Sequence, residues 1–282
     1  GYFAGTFDGQ GSTISGLKLT NEDNGYYGLF GYSLGATVRN VVMDASCFVH
    51  GATFQAKTGI VNIGALFSYC EGKKAPCNIE SCINLGEVNF KSPEPGKTVY
   101  IGGLVGELYA SAHPSTMKNC GNYGSVTYGG DADYTSIGGI IGCLGGSDNA
   151  AASLLNAHSY STVMHTGWTY NTVNFGGIIG TTAHSNNIID NIANFGFFMV
   201  NQNRDTNVGA IVGYFAKGKI THAYWDDLRR FEACGAVADG TISDSTNFSS
   251  IELTLFTPVT VGEWSGRSLV SALNAGSDLY AQ

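Results

Sequence analysis

The sequence predicts an all-β chain, a parallel β-solenoid of about seven coils. Three observations predict it: a glycine motif that recurs at a near-fixed period, apolar and polar columns in phase with it, and a composition rich in glycine and poor in charge. The motif is Gly-Gly-aliphatic-aliphatic-Gly. It appears as Gly28-Leu29-Phe30-Gly31, Gly64-Ala65-Leu66-Phe67-Ser68, Gly102-Gly103-Leu104-Val105-Gly106, Gly138-Gly139-Ile140-Ile141-Gly142, Gly176-Gly177-Ile178-Ile179-Gly180 and Gly209-Ala210-Ile211-Val212-Gly213. Marked at the residue before the aliphatic pair, the positions are 28, 65, 103, 139, 177 and 210, in steps of 37, 38, 36, 38 and 33.

A second block follows each motif. Its first column is apolar (Val38, Ile79, Met117, Leu154, Ile189, Ile220), and so is its last (Val41, Cys82, Cys120, Ala157, Ile192, Ala223). The column just before the last is polar: Asn40, Ser81, Asn119, Asn156, Asn191, His222. Six residues further on stand Cys47, Val88, Val126, Val163 and Phe198. If one repeat is one coil, equivalent residues stack about 4.8 Å apart and like side chains form ladders. Aliphatic ladders then fill a dry interior, and amide ladders bond to themselves along the axis. Three short strands per coil are expected, with glycine at tight corners that need positive φ. Forty glycines and many β-branched residues argue against helical repeats. Parallel crossovers are right-handed by rule.

In chain order, residues 1–27 read as an opening coil, 28–225 as six repeats and 226–282 as a capping segment. Within the cap, Ile251-Glu252-Leu253-Thr254-Leu255 alternates like a strand. Ser268 to Asn274 has the spacing of a short helix, with Gly276 after it. All of it forms one elongated body.

The opening stretch Phe3 to Leu17, the glycine motifs and the Asn119-Cys120 to Val126 piece resemble the GLUG-repeat family over about residues 1 to 225. Ala65 and Ala210 depart from the pattern by replacing the second glycine. The resemblance implies a large secreted or surface-attached, adhesin-like parent protein. It brings no common catalytic motif and no cofactor.

Composition narrows the function classes. The net charge of -8 disfavours nucleic acid as partner. No run of 18 apolar residues exists, so no membrane insertion is expected. The chain does not begin with Met, and it reads as a piece of a longer precursor. Seven cysteines leave at least one thiol unpaired within the chain. Cys70 and Cys77 flank a short loop that a disulfide can close. Cys82 and Cys120 share a column in consecutive coils, about 5 Å apart, within disulfide reach. The apolar residues elsewhere in that column favour two buried thiols instead.

Candidate sites are few. Asp8 reads as a turn residue, Asp131 and Asp133 as a solvated acidic loop, and the six histidines share no metal-ligand spacing, so no metal is expected. A β-helix lyase or glycosidase needs clustered carboxylates. The candidates near strands are Glu80, Glu87, Glu107 and Asp190. Glu80 and Asp190 share a column but lie three coils apart, roughly 14 Å, so no catalytic pair is expected. Tyr100, Tyr109, Tyr128, Tyr134, Trp168 and Tyr170 fall in loops or at strand ends, where rings stack on sugars or line an interface, or else pack against the wall. Asn247 lies in the sole glycosylation sequon. The expected function is a non-catalytic extracellular or cell-surface module for adhesion to a protein or glycan ligand, or for rigid display. Stacking of copies end to end is the alternative, and a polysaccharide lyase or glycosidase the second alternative.

Overall fold

The computed structural model describes residues 1–20, 26–52, 59–91, 97–167, 171–200, 205–226, 231–238 and 248–251. Among them every regular element is a β-strand, and every strand-to-strand ladder is parallel. The chain is a parallel β-solenoid. Its premise holds: Val38, Ile79, Met117, Leu154, Ile189 and Ile220 stand in one register column. All six are fully buried.

Each turn has four walls where three are expected. In one turn these are Val105–Ala110, Ser115–Asn122, Val126–Tyr128 and Tyr134–Gly138, here termed the first to fourth walls. The glycine motif is not a strand. It is the corner where the fourth wall ends, as at Gly102, and the first begins, as at Val105. Among the described residues five complete four-walled turns lie between a partial opening turn and two partial closing ones. The ladders run past residue 226, where the cap is expected to begin. Cys234–Val237 pairs with Val212–Phe215, and Phe248–Ile251 pairs with Ala223 to Asp226. The expected helix at 268–274 and the sequon Asn247 lie outside the described residues.

Two columns change meaning in three dimensions. The polar residue of the second wall sits in the left-handed region at every turn, with φ of 56° at Asn40 and Asn119, 52° at Ser81 and 47° at His222. Asn tolerates this conformation better than most residues because its short amide bonds locally. The kink breaks strand alternation, so Ile79 and Cys82, three residues apart, both face the core. The amides still form a ladder: Asn156 Nδ2 donates to Asn119 Oδ1 at 2.6 Å, and Asn191 Nδ2 to Asn156 Oδ1 at 2.9 Å. Val88 pairs with Val49 rather than with Cys47. The Asp44–Cys47 turn, closed by Cys47 N–H to Asp44 O at 3.0 Å, shifts that strand by two residues relative to the repeat count.

The corner glycines are required by close approach, not by positive φ. A Cβ on Gly102 would lie on the Val105 carbonyl, 2.6 Å from Ile140 O and 2.7 Å from Gly142 N. A Cβ on Gly142 would lie 2.5 Å from Ile101 N. The outer faces of the fourth and first walls therefore meet backbone to backbone. This drives the corner tips Leu66, Leu104, Ile140, Ile178 and Ile211 into the core, all fully buried. A second set of amides, unexpected from the sequence, receives three of these corners. Asn84 Nδ2 donates to Gly103 O at 3.1 Å, Asn122 Nδ2 to Gly139 O at 2.7 Å and Asn194 Nδ2 to Ala210 O at 2.9 Å.

Candidate functional site

The meeting of the fourth and first walls creates a seam along the outside of the solenoid. The first wall contributes the column Tyr32, Tyr69, Glu107, Cys143, Thr181, Tyr214. The fourth contributes Tyr26, Asn62, Tyr100, Ser136, Asn174, Asn207. Towards the C-terminal end the seam is closed by hydrogen bonds. Ser136 Oγ donates to Thr181 Oγ1 at 2.8 Å and the Tyr134 hydroxyl meets the same Thr181 Oγ1 at 3.1 Å across it, while along the fourth wall Asn174 Nδ2 donates to the Tyr134 hydroxyl at 2.7 Å and Asn207 Nδ2 to Asn174 Oδ1 at 2.7 Å.

Towards the N-terminal end it opens into a cleft of about 370 Å³, lined by Tyr26, Tyr32, Gly59, Ile60, Asn62, Tyr69 and Glu107. Tyr26 and Tyr32 stack at 5.2 Å, and Tyr32 leans on Tyr69 at 5.3 Å. Glu107 takes the place of the next ring in that column, one turn on. Asn62 Nδ2 donates to Glu107 Oε2 at 3.2 Å across the seam. Burial pushes the Glu107 carboxyl up to about 7; the Asn62 bond opposes the shift and the neighbouring Glu71 adds to it. Desolvation likewise pushes the Tyr69 and Tyr100 phenols far above their ordinary range.

Glu107 makes the fold pH-sensitive with a definite sign. Its folded carboxyl titrates near 7 and its unfolded one near 4.5, so its contribution is full below about 4.5 and lost as pH rises through about 7. The full shift corresponds to about 3 kcal/mol as an upper bound. The groups that face it are Glu71 and Tyr69 on one neighbouring strand, Cys143 on the other, and Tyr26, Asn62 and Tyr100 from the fourth wall. Burial holds the His158 and His165 imidazoles below their usual value, which acts in the opposite direction. The comparison with Glu107→Gln isolates the carboxyl. The drop in urea midpoint from pH 5 to pH 8 is expected to be larger for the native chain than for the variant, and equal drops would refute the assignment.

The expected aromatic site is not the observed one. Tyr128 is in the core, stacked between Phe90 at 6.2 Å and His165 at 5.7 Å, because its strand turns it inward with Val126. Tyr134 is tied into the seam, Tyr100 is half-buried there, and Tyr109 lies over the Gly145 backbone. Trp168 and Tyr170 lie outside the described residues. Tyr123, Tyr160 and Phe195 form an exposed stack at 5.2 and 4.7 Å, unnoticed in the sequence, whose ring faces are taken up by each other. The cleft tyrosines were legible in principle. Tyr32, Tyr69 and Glu107 all stand four residues after the repeat marker, a column only the seam makes meaningful.

The cysteines divide as geometry dictates. Cys70 and Cys77 form a disulfide across their loop, with Cα atoms 6.5 Å apart. Cys82 and Cys120 share their column as free, buried thiols, so no disulfide joins them. Of the carboxylate candidates, Glu80 pairs with Lys118 at 3.1 Å, Glu87 with His50 at 3.3 Å and Asp190 with His222 at 2.8 Å. Only Glu107 enters the cleft.

Fold and site together define a parallel β-solenoid with an outer tyrosine- and carboxyl-lined cleft. No family model, no curated protein and no solved structure matches the chain.

Proposed function

We propose that the chain is a non-catalytic extracellular or cell-surface β-solenoid module that binds a protein or glycan ligand through the Tyr26–Tyr69–Glu107 cleft. The observation that carries this reading is the opening of an otherwise sealed seam. The two columns run face to face along the solenoid, yet at one end the Asn62–Glu107 bond spans a widened seam and a concave pocket with aromatic, amide and carboxyl groups is left open. Recognition sites combine apolar ring surface with a few convergent polar groups in this way. The resemblance to the GLUG-repeat family supports the surface location. The test is capture on glycan and protein arrays by the native chain beside Tyr26→Ala. Ligands retained by the native chain and lost by the variant are expected; retention by both, or a blank across both arrays, refutes the cleft as the contact site. Release of new reducing ends from a captured glycan would replace this reading with a glycosidase, for which Glu71 and Glu107 are the carboxyl pair.

A further inference from the structure

Among the described residues five acidic side chains have a basic side chain beside them: Asp8 with Arg39, Glu80 with Lys118, Glu87 with His50, Asp148 with His184 and Asp190 with His222. All but Asp148 stand along a strand of a wall. Glu107 in the cleft lining and Glu71, two residues beyond the lining Tyr69, are different. Glu71 is only 7% exposed and Glu107 is largely desolvated, and among the described residues neither has an ion pair. They lie on adjacent strands of the first wall, offset by two residues, since Tyr69 pairs with Glu107 and Glu71 with Tyr109. Ordinary strand geometry puts their Cα atoms about 8 Å apart. The Glu71 charge disfavours ionisation of the buried Glu107 carboxyl, and a cation beside Glu107 offsets that repulsion. Among the described residues no Lys, Arg or His lines the cleft; the remaining lining is three tyrosines, an amide, Gly59 and Ile60.

We propose that the cleft binds an organic ammonium group, which takes the counter-ion position beside Glu107 that no described residue fills. This rests on the reading of the cleft as the ligand site and names the chemistry of what enters it. The fit is threefold. Tyrosine rings attract ammonium cations, methylated ones included, through their π faces, and Tyr26 at the rim is 39% exposed. Glu107, with Glu71 beside it, supplies negative charge at the inner end, where low dielectric strengthens the attraction. The volume of about 370 Å³ suits an ammonium headgroup or the end of a lysine side chain rather than an oligosaccharide. An acidic ligand is excluded by the same carboxyls. A cation requires Glu107 ionised, so affinity rises as pH rises through about 7.

The test is calorimetric titration of the native chain and Glu107→Gln with three probes. Choline stands for a quaternary headgroup, Nα-acetyl-lysine amide for a protein side chain, and 3,3-dimethylbutan-1-ol is the neutral isostere of choline. At least one ammonium probe is expected to bind at least tenfold more tightly at pH 8.5 than at pH 5.5. It should bind at least tenfold more weakly to Glu107→Gln, whose unchanged circular dichroism and cooperative melting certify its fold, and the neutral isostere should not bind. Which of the two ammonium probes binds decides the source. The proposal falls if neither binds at millimolar concentration, if the neutral isostere matches choline, or if Glu107→Gln binds as the native chain does. Array ligands lost in Tyr26→Ala alongside failure of all ammonium probes would overturn this inference alone. Ammonium binding with blank arrays would overturn only the wider reading.

Discussion

Gly138→Ala is expected to destabilise the chain by about 3 kcal/mol or more, an unusually large effect for one added methyl group. The new Cβ lands on the Ile141 carbonyl, with Gly180 N at 2.7 Å and Ile178 O at 2.8 Å. All three are backbone atoms of the packed corner, held by the ladders on either side, so none can rotate away as a side-chain tip does. Relief requires the fourth and first walls to separate. That withdraws Ile140 from the core and parts the Ser136–Thr181 bond above it. The same position is glycine at 64, 102, 138, 176 and 209. The second glycine is less strict: Ala65 and Ala210 occupy it and remain buried. Gly59→Ala is the control, because a Cβ there meets nothing within 4 Å. Urea unfolding of the two variants checks the claim, and a Gly138→Ala midpoint equal to that of Gly59→Ala would show that the walls are not in contact.

Asn122→Leu is expected to cost about 4 kcal/mol. The fully buried amide satisfies four groups at once. Its Nδ2 donates to Gly124 O at 3.0 Å and Gly139 O at 2.7 Å, and its Oδ1 accepts from Gly124 N at 3.2 Å and Asn84 Nδ2 at 2.9 Å. Leucine matches the volume but leaves these donors and acceptors buried without partners, each at about 1–3 kcal/mol and not fully additive. By comparison Asn156→Gly removes ladder bonds at a half-buried position while keeping the left-handed φ of 48°, and is expected to cost about 1 kcal/mol. Amide hydrogen exchange gives the local readout: in Asn122→Leu the Gly124 and Tyr123 amides should lose protection ahead of those in Ala152–Ser159. Equal losses for both substitutions would mean that the inner and outer amide ladders carry the same weight.

Much of the architecture was legible because a stacked fold writes its register into the sequence. Val38, Ile79, Met117, Leu154, Ile189 and Ile220 could be aligned by counting, and counting failed only where a loop changed length, as at Cys47. Periodicity fixed which residues share a column. It did not say what each column does. The polar residue before Cys120 looked like a bonded ladder and also proved to be a left-handed kink. The paired glycines looked like positive-φ corners and proved to be surfaces of contact. Both are questions of backbone direction, on which residue type is ambiguous.

The candidate site was less legible for a related reason. Tyr128 was singled out as an accessible ring and lies in the core, while Tyr26, Tyr32 and Tyr69 went unnoticed. Glu107 was named only among dispersed carboxylates. Sequence determined the solenoid, its repeat, its buried aliphatic rows and its excess of negative charge, because those depend on neighbours one period away. Tertiary structure alone decided that the fourth wall folds back on the first. That contact turns a spacing of seven residues, as from Asn62 to Tyr69 and from Tyr100 to Glu107, into a meeting of two columns across a corner, and it removes water from Glu107 while leaving it without an ion pair among the described residues.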